Sequence, residues 1–104
     1  MKTIEDLREH LERGKFEFSL HAFKRAVERN ISEAEIRELA KNAEIIEDYP
    51  DDKYGPSCLL LGFTNLGRPL HTQVTRIETD EGLIKIITVY QPNEEEWIDY
   101  SIRR

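Results

Sequence analysis

A chain of 104 residues is near the commonest size for one domain and too short to divide into two cores, so a single domain over residues 1–104 is expected. With 38% apolar and 35% charged residues it is wetter than average yet apolar enough to fold, and a formal charge of -6 excludes holding nucleic acid by bulk attraction. One cysteine, Cys58, excludes an internal disulfide, and no run approaches the roughly 18 apolar residues that span a bilayer; a reducing, cytoplasmic setting away from membranes is expected.

In chain order, Thr3 followed by Glu5 and Asp6 reads as a helix cap with acids in the first turn, and Ile4, Leu7 and Leu11 recur at helical spacing until Gly14. Phe16 and Phe18 alternate with charged residues just before Ser19, which caps a second helix from about Leu20 to Arg29, stopped by Asn30. Ser32 and Glu35 make a capping box, and Ile36, Leu39, Ala40 and Ala43 form the buried stripe of a third helix.

After Glu44 the period changes. Residues 44–49 read as extended, Pro50, Asp51 and Asp52 as a turn, and 57–64 as a dense apolar strand. A tight loop at Asn65, Leu66 and Gly67 leads to a strand over about 68–78, and Asp80, Glu81 and Gly82 lead to another over 83–90. Trp97, Ile98 and Tyr100 give the tail enough apolar surface to return to the domain as an edge strand or a short helix. The expected class is α+β, with N-terminal helices packed on a C-terminal antiparallel meander of about four strands.

The second helix carries the densest chemistry. His21, Arg25 and Arg29 are four apart and form a polar stripe, drifting about 40° per step. Leu20, Phe23 and Val27 are expected on the opposite face, buried against the sheet. In the first turn the helix dipole favours a neutral His21, able to act as a base, while the two guanidiniums suit a phosphate. The alternative is that Arg25 and Arg29 pair with Glu28, Glu33 or other carboxylates on a solvated face.

Strand alternation puts His71 beside Gln73 and Thr75 on a polar face, where a second imidazole would complete an acid and base pair for RNA transesterification; a half-exposed structural histidine is the alternative. Tyr90 and Trp97 offer a phenol for hydrogen bonding and a ring for stacking a base, with core packing the alternative for Trp97. One cysteine and three scattered histidines show no metal-ligand spacing, so no metal or cofactor is expected.

Residues 19–29, Ile31, Ser32, Glu35, Ile36, Ile45, Ile46, Glu47, Tyr49, Pro50, Leu60–Gly62, Gly67–His71, Ile86–Tyr90, Pro92 and Trp97 follow, in order, a known pattern. Over residues 16–100 the chain resembles the bacterial domain-of-unknown-function 4258 family, which is similar in layout to the RelE/ParE-like and barnase/colicin-like toxin ribonucleases. The resemblance implies a metal-independent endoribonuclease with RNA as partner, and site residues at His21, Arg25, Arg29, His71 and Tyr90. It equally admits a non-catalytic interaction module of a toxin-antitoxin or regulatory system, with an antitoxin-like protein as partner.

Overall fold

The computed structural model describes residues 1–53 and 55–104. Three side chains start the three helices. Thr3 caps α1 (Ile4–Glu12) in a capping box with Asp6, Ser19 caps α2 (Leu20–Glu28) by accepting from the Ala22 N–H, and Ser32 caps α3 (Glu33–Leu39) in a box with Glu35. Each oxygen satisfies an amide that would otherwise lack a partner in the first turn. Asn30 takes a left-handed conformation (φ 54°) and ends α2 as its sequence suggests. The third helix is shorter than its apolar stripe implies: it stops at Leu39, while Ala40 and Ala43 stay buried in the turn that follows.

Between α1 and α2, residues Phe16–Phe18 form β1, which pairs in parallel with a strand at Ile84–Tyr90. The sheet is therefore not confined to the second half of the chain. Strands β2 (Glu44–Tyr49), β3 (Ser57–Phe63), β4 (Pro69–Thr75) and β5 (Ile84–Tyr90) form the expected antiparallel meander, and β1 adds a fifth strand beside β5, in the order β1-β5-β4-β3-β2. The tail forms neither a main-sheet edge strand nor a helix. It makes its own hairpin from β6 (Trp97–Ile98) and β7 (Ile102–Arg103).

The helices cover one sheet face. Cys58, Leu60, Leu70, Val74, Ile84, Ile86 and Val89 point into the main core with Leu7, Leu11, Ile36 and Leu39. A bulge opposite Gln73 and Val74 leaves Ile87 unpaired, which lets Ile84, Ile86 and Val89 all face the helices despite the strict alternation of a flat strand. Gly62 allows α3 to sit tightly on β3, since a Cβ there would lie 2.7 Å from the Leu39 Cβ.

The opposite face carries His71, Tyr90 and Glu47. Its register places His71 across from Tyr90 and Leu61, and Glu47 across from Leu59. The β6–β7 hairpin lies over it through Trp97, whose ring meets the His71 ring edge-on at 4.4 Å. Arg103 fastens the hairpin down: its guanidinium stands 4.6 Å from the Trp97 ring and donates to both Glu47 oxygens at 2.8 and 3.1 Å. Among the described residues, no helix is long and apolar enough to cross a membrane.

Candidate functional site

Helix α2 lies on the sheet by its alanines, and this reverses the expected orientation. Ala22 is fully buried and Ala26 nearly so, while Leu20, Phe23 and Val27 are 71%, 55% and 65% exposed. Small side chains allow the helix to approach β5 closely, a gain that larger residues at those positions would forfeit. The apolar row expected to be buried is instead an outer surface, with Phe18 of β1 next to Phe23 (ring centroids 6.4 Å).

The polar stripe is split by the same geometry. The 40° drift per step carries Arg29 round to the sheet side, where Nη1 donates to the Val89 carbonyl at 2.7 Å. Arg25 stops short and pairs with Glu28 at 2.8 Å on the surface, as the solvated-face alternative holds. His21 is exposed, and eight residues of helical rise separate it from Arg29 by about 12 Å.

Arg29 opens onto a cavity of about 510 Å³ at the end of β5, lined also by Arg68, Tyr90, Gln91, Asn93, Glu96, Trp97 and Arg103. Two of these arginines escape a reading of local pattern. Arg68 ties the α2–α3 turn to the sheet, donating to the carbonyls of Arg29 (3.0 Å) and Asn30 (2.9 Å), to Glu35 (3.1 Å) and to the Gln91 side chain (2.9 Å). Arg103 arrives from β7 on top of Trp97. The only signal for either in the sequence is the Gly67–Arg68–Pro69 step, which marks a turn but no cavity.

The three guanidiniums differ in how far they are neutralised. Glu35 balances Arg68: burial alone would raise its carboxyl, but the Ser32 amide and Arg68 together hold it below the usual range. Glu47 balances Arg103, whose hydrogen bonds keep that carboxyl low against the effect of burial. Arg29 has a main-chain partner and, among the described residues, no carboxylate within ion-pair distance, so it contributes the least compensated positive charge in the cavity.

His71 lies beneath this cavity and does not line it. It is fully buried, a correction to the half-exposed polar face that alternation implies: Gln73 and Thr75 do share its face, but Trp97 and the Tyr100 turn cover the imidazole. Nε2 lies 2.5 Å from the Tyr100 carbonyl oxygen and Nδ1 3.1 Å from the Tyr90 hydroxyl. Burial lowers its pKa from the ordinary 6.5, against the opposing pull of the Tyr100 carbonyl and the Glu47 charge, so the ring is neutral at pH 7. Burial likewise raises the Tyr90 phenol.

Of the five residues singled out by sequence, Arg29 and Tyr90 meet at the cavity, His71 stands directly behind Tyr90, and His21 and Arg25 lie elsewhere on α2. The two imidazoles therefore do not flank a common hollow. Among the described residues no three His, Cys, Asp or Glu side chains gather as a metal site.

No curated protein and no solved structure matches the chain. Residues 18–91 match a family described as a domain of unknown function, DUF4258, a stretch that runs from the end of β1 through β5 to Gln91 and includes Arg29, Arg68, His71 and Tyr90. A match over more than two thirds of the length settles the family: this chain belongs to DUF4258.

Proposed function

We propose that this domain is a metal-independent endoribonuclease of the toxin type, related in layout to the RelE/ParE-like and barnase/colicin-like group. The observation that carries the reading is the convergence of Arg29, Arg68 and Arg103 on one cavity in a chain of net charge -6. Guanidiniums gathered from three distant segments around a single opening suit a phosphodiester, whose oxygens accept from planar forks. Arg68 and Arg103 are paired with Glu35 and Glu47, so in an acidic molecule the anion would be drawn chiefly by Arg29, with the other two forks as directional donors.

In this reading a ribose 2′-hydroxyl attacks the adjacent phosphorus, the bond from phosphorus to the 5′-oxygen breaks, and the arginines stabilise the charge that grows on the phosphoryl oxygens. The product carries a 2′,3′-cyclic phosphate. Purified protein incubated with RNA in EDTA should yield such ends; Arg29→Ala should lower the rate about 100-fold or more, and His21→Ala, which lies outside the cavity, should leave it unchanged. Equal products from wild type and Arg29→Ala, or none from wild type, would refute the reading.

A second reading, a non-catalytic interaction module, is favoured by the outer face of α2. Leu20, Phe23 and Val27 are exposed in a row flanked by His21, Lys24 and Arg25, which suits an acidic, amphipathic segment of a partner protein such as an antitoxin. A labelled acidic, leucine-bearing peptide should bind wild type and lose affinity at least about tenfold for both Phe23→Ser and Lys24→Glu. Equal binding of a basic peptide, or self-association through this face, would count against it.

A further inference from the structure

Resting on the ribonuclease reading, we infer that Tyr90 is the group that takes the proton of the attacking hydroxyl, and that the buried His71 acts through Tyr90 as a positioning residue and proton store. The direction of the hydrogen bonds requires it. The Tyr100 main-chain oxygen can only accept, so His71 Nε2 carries the ring proton. A neutral imidazole has one such proton, so Nδ1 is bare and accepts from the Tyr90 hydroxyl. The Tyr90 O–H bond therefore points inward. Tyr90 also lines the cavity, and with its proton directed at His71 its oxygen is left with lone pairs to accept from a hydroxyl brought there by the arginines.

The surroundings fix this arrangement. The His71 ring packs edge-on against Trp97 at 90° and Tyr90 at 66°, and each of its nitrogens faces a different partner. The Tyr100 carbonyl is aimed by a turn in which both Asp99 (φ 50°) and Tyr100 (φ 60°) are left-handed, a conformation that bulky residues adopt rarely. The strained turn, the buried imidazole and the phenol form one chain of hydrogen bonds that ends at the cavity wall. The charged and titratable groups around the imidazole are Glu47 from β2, Arg103 from β7 and Tyr90 from β5; the Glu47 carboxylate favours an imidazolium and Arg103 opposes it.

The 2′-hydroxyl proton passes to the Tyr90 oxygen while the Tyr90 proton passes to His71 Nδ1, and the 2′-oxygen bonds to phosphorus. The 5′-oxygen leaves with its electron pair and takes a proton from water in the open cavity. The hydroxide so formed recovers the proton from His71 by way of Tyr90, which resets the pair. The cyclic phosphate and the free 5′-hydroxyl are the products.

Two measurements on the full chain test this. Nitrogen-15 NMR of wild type at pH 7 should show His71 protonated at Nε2 and bare at Nδ1; the opposite tautomer overturns the inference, whatever the activity. With a short RNA in EDTA, Tyr90→Phe should lower kcat by about 100-fold or more with KM within about threefold, because it removes the proton acceptor and leaves the ring in place. His71→Gln should also lower kcat, and its residual rate should lack the acidic limb expected of wild type where His71, its pKa lowered by burial, takes up a proton. Wild-type cleavage with Tyr90→Phe equally active overturns the inference alone, whereas absence of any cleavage by wild type overturns the ribonuclease reading and the proton transfer together.

Discussion

Replacing His71 with glutamine tests both the energetics and the protonation of the buried imidazole. The amide can still reach the Tyr100 carbonyl, but the acceptor facing Tyr90 is lost and the ring no longer packs on Trp97 and Tyr90. Tyr90 lines the open cavity, where its hydroxyl can turn to water, so the main cost is the two lost aromatic contacts at about 0.5–1.5 kcal/mol each. A net loss of about 1–3 kcal/mol follows, a large share of the ~5–15 kcal/mol that holds a domain together. At ~4–8 °C per kcal/mol, the melting temperature should fall by roughly 5–25 °C.

The same variant separates the pH dependence of this one group. Because the folded pKa of His71 lies below the ordinary 6.5, the unfolded chain binds a proton that the folded chain refuses in the window between the two values. Stability is complete above pH 6.5 and declines as pH falls from there towards the folded pKa, with a limiting slope of about 1.4 kcal/mol per pH unit. Asp6, Glu35, Glu47 and Glu78, all with lowered pKa values, bring a loss of the same sign further down, starting near their ordinary 3.8 and 4.5. Urea unfolding between pH 7 and pH 5.5 should thus show wild type losing stability, by up to about 1 kcal/mol, and His71→Gln losing much less. Equal slopes in the two proteins would refute the assignment of a neutral, buried histidine.

Gly62→Ala places a methyl 2.7 Å from the Leu39 Cβ and 2.9 Å from its carbonyl oxygen, so α3 must move; a loss of about 1–3 kcal/mol in urea unfolding is expected. The orientation of α2 predicts opposite outcomes on adjacent residues: Phe23→Ser should change stability by no more than about 0.5 kcal/mol, while Ala22→Leu should cost about 1–3 kcal/mol by overpacking. Cys58, its thiol pushed up to about 11 by burial, should resist alkylation at pH 8 in the folded protein and react promptly in urea.

Much of the fold is written locally. Thr3, Ser19 and Ser32 mark three helix starts, and the apolar runs at 57–63 and 84–90 with turn residues between them mark the meander. What escaped depends on distant partners. β1 is three residues long, too short to show alternation, and its partner Ile84 lies far along the chain from Phe16. On α2 the most apolar residues suggest the buried face, but closeness of approach favours Ala22 and Ala26. Strand alternation assigns His71 to the correct face yet carries no information about the hairpin of two-residue strands that covers it. Arg29 and Tyr90 are legible as chemistry, whereas Arg68 and Arg103 become cavity residues only once the α2–α3 turn and the tail come together around β5.

The arginine-lined cavity is tested most directly by NMR titration of the intact protein with a short RNA whose 2′-hydroxyl at the cleavable position is replaced by hydrogen. Saturable, salt-sensitive shifts at the Arg29 side chain, Tyr90 and Gln91, with His21 and Arg25 unmoved, are the expected result. Shifts confined to the outer face of α2, or none at all, would contradict the account.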